Sequence, residues 1–263
     1  MADLDGTGVL ITRPAHQSDR LAALVEERGG RAFRLPAIGI EPQPDSAALR
    51  AALDALPRCR IAIFVSANAA EHGMAAVHRR FATLPAGIKV AAVGRASARV
   101  LEAAGVAVDI LPAGPGDSEG LLAHPALSDV AGEVVVIFRG VGGRGLLART
   151  LRERGARVLA APCYRRVRSA SDPSAVLAQW RAGAIDIAVV TSVESLHALA
   201  DLLGDEGRAL MRATPAVVMS RRVAEAARGT VSEALVAEDM SDAGIVEAIA
   251  RWRLRTADRP PPT

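Results

Sequence analysis

Tyr164 is the only phenol in 263 residues, and it sits in the run Ala161-Pro162-Cys163-Tyr164-Arg165-Arg166. A phenol at a cleft can give a hydrogen bond or a proton to a departing oxygen, whereas one packed between strand and helix is only core. Arg13 and Arg139 each close an apolar run. A guanidinium so placed either pairs with a neighbouring acid or takes a ligand carboxylate or phosphate through parallel N–H bonds. Ser66 and Ser192 follow two further apolar runs, in VSANAAEHG and TSVESLHAL. A hydroxyl there caps the next helix and leaves its first N–H groups facing outward, which serves either the helix alone or an anion. Asn68 and Ser195 lie in the same first turns and share both readings. Gly94 and Ser97 open AVGRASARVLEAAG, where a glycine lets a backbone or ligand come close. Ser118-Glu119 and Ser241-Asp242 begin late helices and read first as caps.

The run Arg139-Gly140-Val141-Gly142-Gly143-Arg144-Gly145 also fits G-x-G-x-x-G between a strand and a helix, the setting of a dinucleotide loop. No acidic residue ends the following strand, so this alternative is an NADP-dependent reductase in which Arg165 or Arg166 reads a 2′-phosphate. Another alternative is a non-enzymatic bilobed protein that binds a small anion.

The elements that must position these groups are short. Val9–Thr12, Ile61–Val65, Val90–Val93, Val134–Phe138, Ile185–Val190 and Ala216–Met219 read as buried parallel strands, separated by Ala/Leu/Arg segments of helical period. The expected class is α/β with doubly wound parallel sheets. An offset of 126 residues carries Arg13 to Arg139, Leu21 to Leu147, Gly29 to Gly155, Pro36 to Pro162, Ser66 to Ser192 and Arg95 to Arg221. One offset over so many landmarks marks a duplicated unit, hence two similar lobes with a cleft as the ligand site.

Half the residues are hydrophobic but only 3% are aromatic, so the core must be built from Ala, Val, Leu and Ile. A net charge of +3 is too small to argue for nucleic acid or a membrane surface. Cys59 and Cys163 are not in a C-x-x-C pair, and no histidine pair has H-x-x-x-H spacing, so neither a disulfide framework nor a metal site is expected. The start MADLDGTG has no apolar stretch of a secretory signal, and no run approaches the ~18 apolar residues of a membrane span. The expectation is a cytoplasmic monomer.

Taken in order, these segments resemble the uroporphyrinogen-III synthase family over about residues 8 to 252. The matching pieces are VLITRP at 9–14, LPAIGIEP at 35–42, FVSANAAEHG at 64–73, AVGRASARVLEAAG at 92–105, SEGLL at 118–122, RGVGGRGLLARTLRERGARV at 139–158, APCYRR at 161–166 and TSVESLHAL at 191–199. The resemblance implies two α/β lobes joined by a two-stranded linker: residues 1–36 with 168–254, residues 42–160, linker strands at 37–41 and 161–167, and a disordered tail at 255–263. It implies a substrate, hydroxymethylbilane, which is a linear tetrapyrrole with eight carboxylates handed over by the preceding deaminase. It also implies ring closure with inversion of ring D through a spiro intermediate, and no cofactor. Tyr164 matches the family's tyrosine that helps hydroxide depart. The candidate substrate-binding set is Arg13, Ser66, Asn68, Gly94, Ser97, Arg139, Arg144, Ser192, Ser195, Arg221 and Arg222. One departure stands out. The family often has Gly-x-x-Thr where this chain has Ser220-Arg221-Arg222-Val223, so the threonine hydroxyl is absent.

Overall fold

Strands buried on both faces need apolar side chains at every position, and that is how the apolar runs are used. A computed structural model of the chain describes residues 3–114, 116–143, 145–239 and 241–257. The chain runs β1 (Gly8–Ile11), α1 (Asp19–Glu27), β2 (Arg31–Arg34), β3 (Ile38–Pro42), α2 (Ala47–Ala55), β4 (Ile61–Phe64), α3 (Ala67–Arg80), β5 (Lys89–Ala92), α4 (Arg95–Ala103) and α5 (Ser118–Leu122). It continues through β6 (Val134–Gly140), α6 (Leu146–Glu153), β7 (Arg157–Arg168), α7 (Ser174–Arg181), β8 (Ile187–Val190), α8 (Val193–Ala213, interrupted at Gly204), β9 (Ala216–Val218), α9 (Arg221–Ala226), β10 (Ala234–Val236) and α10 (Asp242–Ala257). The last helix therefore includes residues 255–257, which the sequence had suggested begin a disordered tail. An Arg- and Ala-rich segment continues the α10 pattern through Ala257. Residues 258–263 lie outside the described set. The sequence reading also missed β2 and β10, which are short and only partly buried.

Two compact units divide the chain: Met1–Gly39 with Val167–Thr263, and Ile40–Arg166. The first contains a parallel sheet in the order β10-β9-β8-β1-β2. Leu10, Ala188 and Val190 face a core with α7, α8 and α9, while Val9, Ile11, Ile187 and Val189 face the opposite core with α1 and α10. The second has the order β3-β7-β6-β4-β5. Ala62, Phe64 and Phe138 face α2, α3 and α4, and Ile61, Ile63 and Ile137 face α5 and α6. Strand period 2 thus feeds two cores per sheet.

The 126-residue offset superimposes the two topologies. It takes β1 to β6, β2 to the start of β7, and β4 to β8. It takes residues 90–92 of β5 to β9, and Ile110, which bridges to Ala91, to the end of β10. β3 is the exception to the parallel arrangement. Gly39 meets Val167, Glu41 pairs with Arg165 at 2.8 Å, and the Gln43 N–H donates to the Cys163 carbonyl at 3.0 Å, so β3 and β7 run in opposite directions. Residues 161–167, expected as a linker strand, fall in the second half of β7. Among the described residues, no helix is long and apolar enough to cross a membrane.

Both cysteines are buried in the same core of the second unit, and burial pushes their thiols up, Cys59 to about 11 and Cys163 to about 12. A raised thiol pKa favours the folded state fully below the ordinary value of 9.0 and is lost as pH climbs through the folded values. The folded protein is expected to react with no thiol reagent at pH 8, to expose two thiols on unfolding in denaturant, and to lose stability above about pH 9. One fast-reacting thiol in the native state would show that this core opens around β7.

Candidate active site

In each unit, two adjacent central strands send their following helices to opposite faces. In the second unit these are β4, followed by α3, and β6, followed by α6. In the first they are β8, followed by α8, and β1, followed by α1. A crevice opens at the carboxyl ends of such strands because the two connections diverge there. The serines and arginines singled out by spacing sit at these points: Ser66 and Arg139 after or at the end of β4 and β6, Ser192 and Arg13 just beyond β8 and β1.

The crevice of the second unit is a recess of about 210 Å³ lined by Val65, Ser66, Ser118, Arg139, Gly140, Tyr164 and Arg166 among others. Tyr164 reaches it through a register slip. β6 and β7 pair residue for residue up to Arg139 opposite Pro162, and then Gly140 stands opposite Tyr164, leaving Cys163 as an extra residue. Alternation would send Cys163 and Tyr164 to opposite faces. With the bulge, both are buried in the core that also holds Phe64 and Phe138. The Tyr164 ring lies against the strand at Gly140, where an added Cβ would come within 2.7 Å of the ring. Its hydroxyl meets the Ser66 hydroxyl at 3.2 Å, the His72 ring stacks at 5.9 Å, and the Arg166 guanidinium lies 5.7 Å from the ring centre.

Ser66 caps α3 by accepting the Ala69 N–H at 3.1 Å, so one oxygen fixes the helix start and touches the phenol. The distance of α3 from the sheet is set by Gly73, whose missing Cβ makes room for the stacked rings of Phe64 and Phe138. Arg139 turns its guanidinium onto the carbonyls of Gly140 and Gly142. That geometry accounts for the glycine run without a dinucleotide. Gly140 is covered by the phenol ring, and Gly142 and Gly143 have φ of +76° and +85°, the left-handed region that favours glycine.

The crevice of the first unit is built differently. Ser192 and Ser195 form a reciprocal capping box at the start of α8, with both bonds at 3.0 Å. Arg13 is ion-paired to Asp242, so its expected freedom to hold a ligand carboxylate is not what the structure shows. Asn68 and Ser97 are buried in the first turns of α3 and α4. Gly94 caps α4 with extended backbone, and a Cβ there would meet only Gly116 at an ordinary 3.8 Å, so Gly94 itself is not needed for a close approach. Arg221 and Arg222 are exposed at the start of α9, without a carboxylate partner among the described residues. Ser220 caps that helix, and Val223, where the family's threonine would fall, is buried in the core. Arg144 lies outside the described residues. The sequence reading had Ser118 first as a cap, and raised Arg166 and Gly140 only within the dinucleotide alternative; all three line the recess.

The fold and recess define a class: a duplicated, doubly wound α/β protein with a buried phenol and a guanidinium at a switch-point crevice. Residues 19–247 match the family model for uroporphyrinogen-III synthase HemD. The chain is 31% identical over 222 residues to the uroporphyrinogen-III synthase of Salmonella typhimurium, covering 84% of this chain and 90% of the relative. It is 30% identical over 195 residues to that of Escherichia coli, covering 74% and 79%. The fold is similar to crystal structures of uroporphyrinogen III synthases from Thermus thermophilus (TM-score 0.60, 20% identity, 95% of this chain and 99% of that one) and Helicobacter pylori (0.61, 14%, 94% and 99%). The chain belongs to the uroporphyrinogen-III synthase family.

Gly140→Ala is expected to push the Tyr164 ring off the strand and break its contact with Ser66. The overpacking cost is about 1–3 kcal/mol, read as a lower midpoint in urea. Because Tyr164 is the only tyrosine, ring-labelled tyrosine gives a single NMR signal that should shift or broaden. An unmoved signal would show that the ring does not depend on Gly140.

Proposed function

We propose that the protein is a uroporphyrinogen-III synthase, a cyclising lyase of tetrapyrrole biosynthesis, acting as a monomer in the cytoplasm on hydroxymethylbilane supplied by the preceding deaminase. The observation that carries the reading is the buried Tyr164 hydroxyl, fixed against Ser66 at the edge of a recess that also contains Arg139. The family membership gives the reaction.

Hydroxide is a poor leaving group, and it departs from the bilane as water once a proton reaches it. The Tyr164 O–H supplies that proton, with the pyrrole nitrogen lone pair breaking the C–O bond and leaving an electrophilic azafulvenium cation that keeps its N–H. Ring D attacks through its substituted carbon to give the spiro intermediate. That intermediate fragments at the bond to the neighbouring ring and recloses with ring D inverted. The ring proton lost at the last step returns to the phenolate, so the net change is loss of one water. The protein's larger task is orientation, because the same ends can close without inversion. The outward N–H groups at the starts of α3 and α8, together with Arg139, are the proposed grips for the carboxylates. Arg221 and Arg222 are further candidates, exposed and without a carboxylate partner among the described residues.

Tyr164→Phe keeps the ring on Gly140 and removes only the hydroxyl. It is expected to fold, to slow turnover about tenfold to a hundredfold, and still to give the inverted isomer, since orientation is supplied elsewhere. The measurement is a rate with freshly made hydroxymethylbilane, with isomers separated by chromatography. Unchanged turnover would make Tyr164 a packing residue only, and a switch to the uninverted isomer would make it a positioning group.

A further inference from the structure

The two switch points carry the same arginine in different company. In the first unit Arg13 closes on Asp242, the first residue of α10, with only 14% and 18% of the two side chains exposed. Arg20 approaches the second carboxylate oxygen at 3.9 Å from an exposed position. In the second unit the helix covering the equivalent face is α5, and its first residue is Ser118. Ser118 lines the recess with Arg139. The neighbouring Asp117 is turned to its own helix, accepting the Gly120 N–H at 2.7 Å. Arg139 has carbonyl partners but no carboxylate partner among the described residues.

A half-buried guanidinium gives up hydration; backbone carbonyls return hydrogen bonds to it, but only an anion returns a countercharge. The first unit shows the completed arrangement, a carboxylate presented to the arginine by the start of the covering helix. We propose that the recess of the second unit takes a substrate carboxylate in the place that Asp242 fills in the first, and that Ser118 is the residue that keeps the place open. A hydroxyl at 118 leaves Arg139 for the ligand, and an acid there would satisfy it from within. The anion grip is therefore asymmetric. The Arg139 crevice holds a carboxylate, whereas the Arg13 guanidinium is already taken by a side chain of its own unit. The inference rests on the synthase reading for the identity of the polycarboxylate.

The test compares Ser118→Asp, Ser118→Asn and the double variant Arg13→Gln/Asp242→Asn, which removes both charges of the first unit's pair without orphaning one. Thermal melts confirm folding. Ser118→Asp should raise KM for hydroxymethylbilane about tenfold or more, the scale of losing a hydrogen bond to a charged group. Its kcat at saturation should change little. Ser118→Asn, which adds bulk but no charge, should raise KM clearly less than Ser118→Asp, and the double variant should stay within about threefold of the wild type. Equal KM values for Asp and Asn at 118 would overturn the proposal, as would a double variant as impaired as Ser118→Asp. The same comparison made by fluorescence with uroporphyrin, which carries the same eight carboxylates, needs no turnover. A wild-type protein that makes no inverted isomer would thus sink the synthase reading alone, while the charge dependence is still decided.

Discussion

One extra residue in β7 determines where the chain's phenol goes. Up to Arg139 and Pro162 the strands keep step, and Cys163 then stands without a partner. A strand without that slip would turn Tyr164 to the opposite face of the sheet from Cys163. The bulge is held from both sides. The Cys163 thiol reaches the Arg139 carbonyl at 3.4 Å, and the Tyr164 ring fills the space above Gly140. Ser66, Arg139 and Arg166 are arranged around a ring whose position this slip decides.

Helix starts contribute the second constraint. The Ser66 oxygen both caps α3 and touches the phenol, so the sheet and the helix fix the hydroxyl jointly. Gly73 allows α3 to settle onto Phe64 and Phe138, which carries that cap to within reach. Rigid elements, rather than a loop, therefore hold the Tyr164 hydroxyl.

Duplication gave both units the same strand order and the same arginine and serine at the switch point, and divergence then separated them. The first unit neutralises its arginine with Asp242 and ties Ser192 to Ser195, whereas the second leaves Arg139 and Ser66 facing a recess.

The sequence by itself determined the layered α/β architecture, since runs such as Ile61–Phe64 are apolar at every position and can only be buried on both faces. It determined the duplication through the 126-residue offset, and it placed Ser66, Ser192, Arg13 and Arg139 at strand ends, because caps and strand termini follow local rules. Only the tertiary structure decided what those residues meet. Arg13 finds Asp242, 229 residues away, and Tyr164 finds Ser66 across 98 residues. Gly140, read along the chain as part of a nucleotide loop, became the seat of an aromatic ring contributed by a neighbouring strand. Pairings of this kind depend on strand register and on which face a bulge selects, and a one-residue slip reverses that choice without leaving a mark on hydrophobic periodicity.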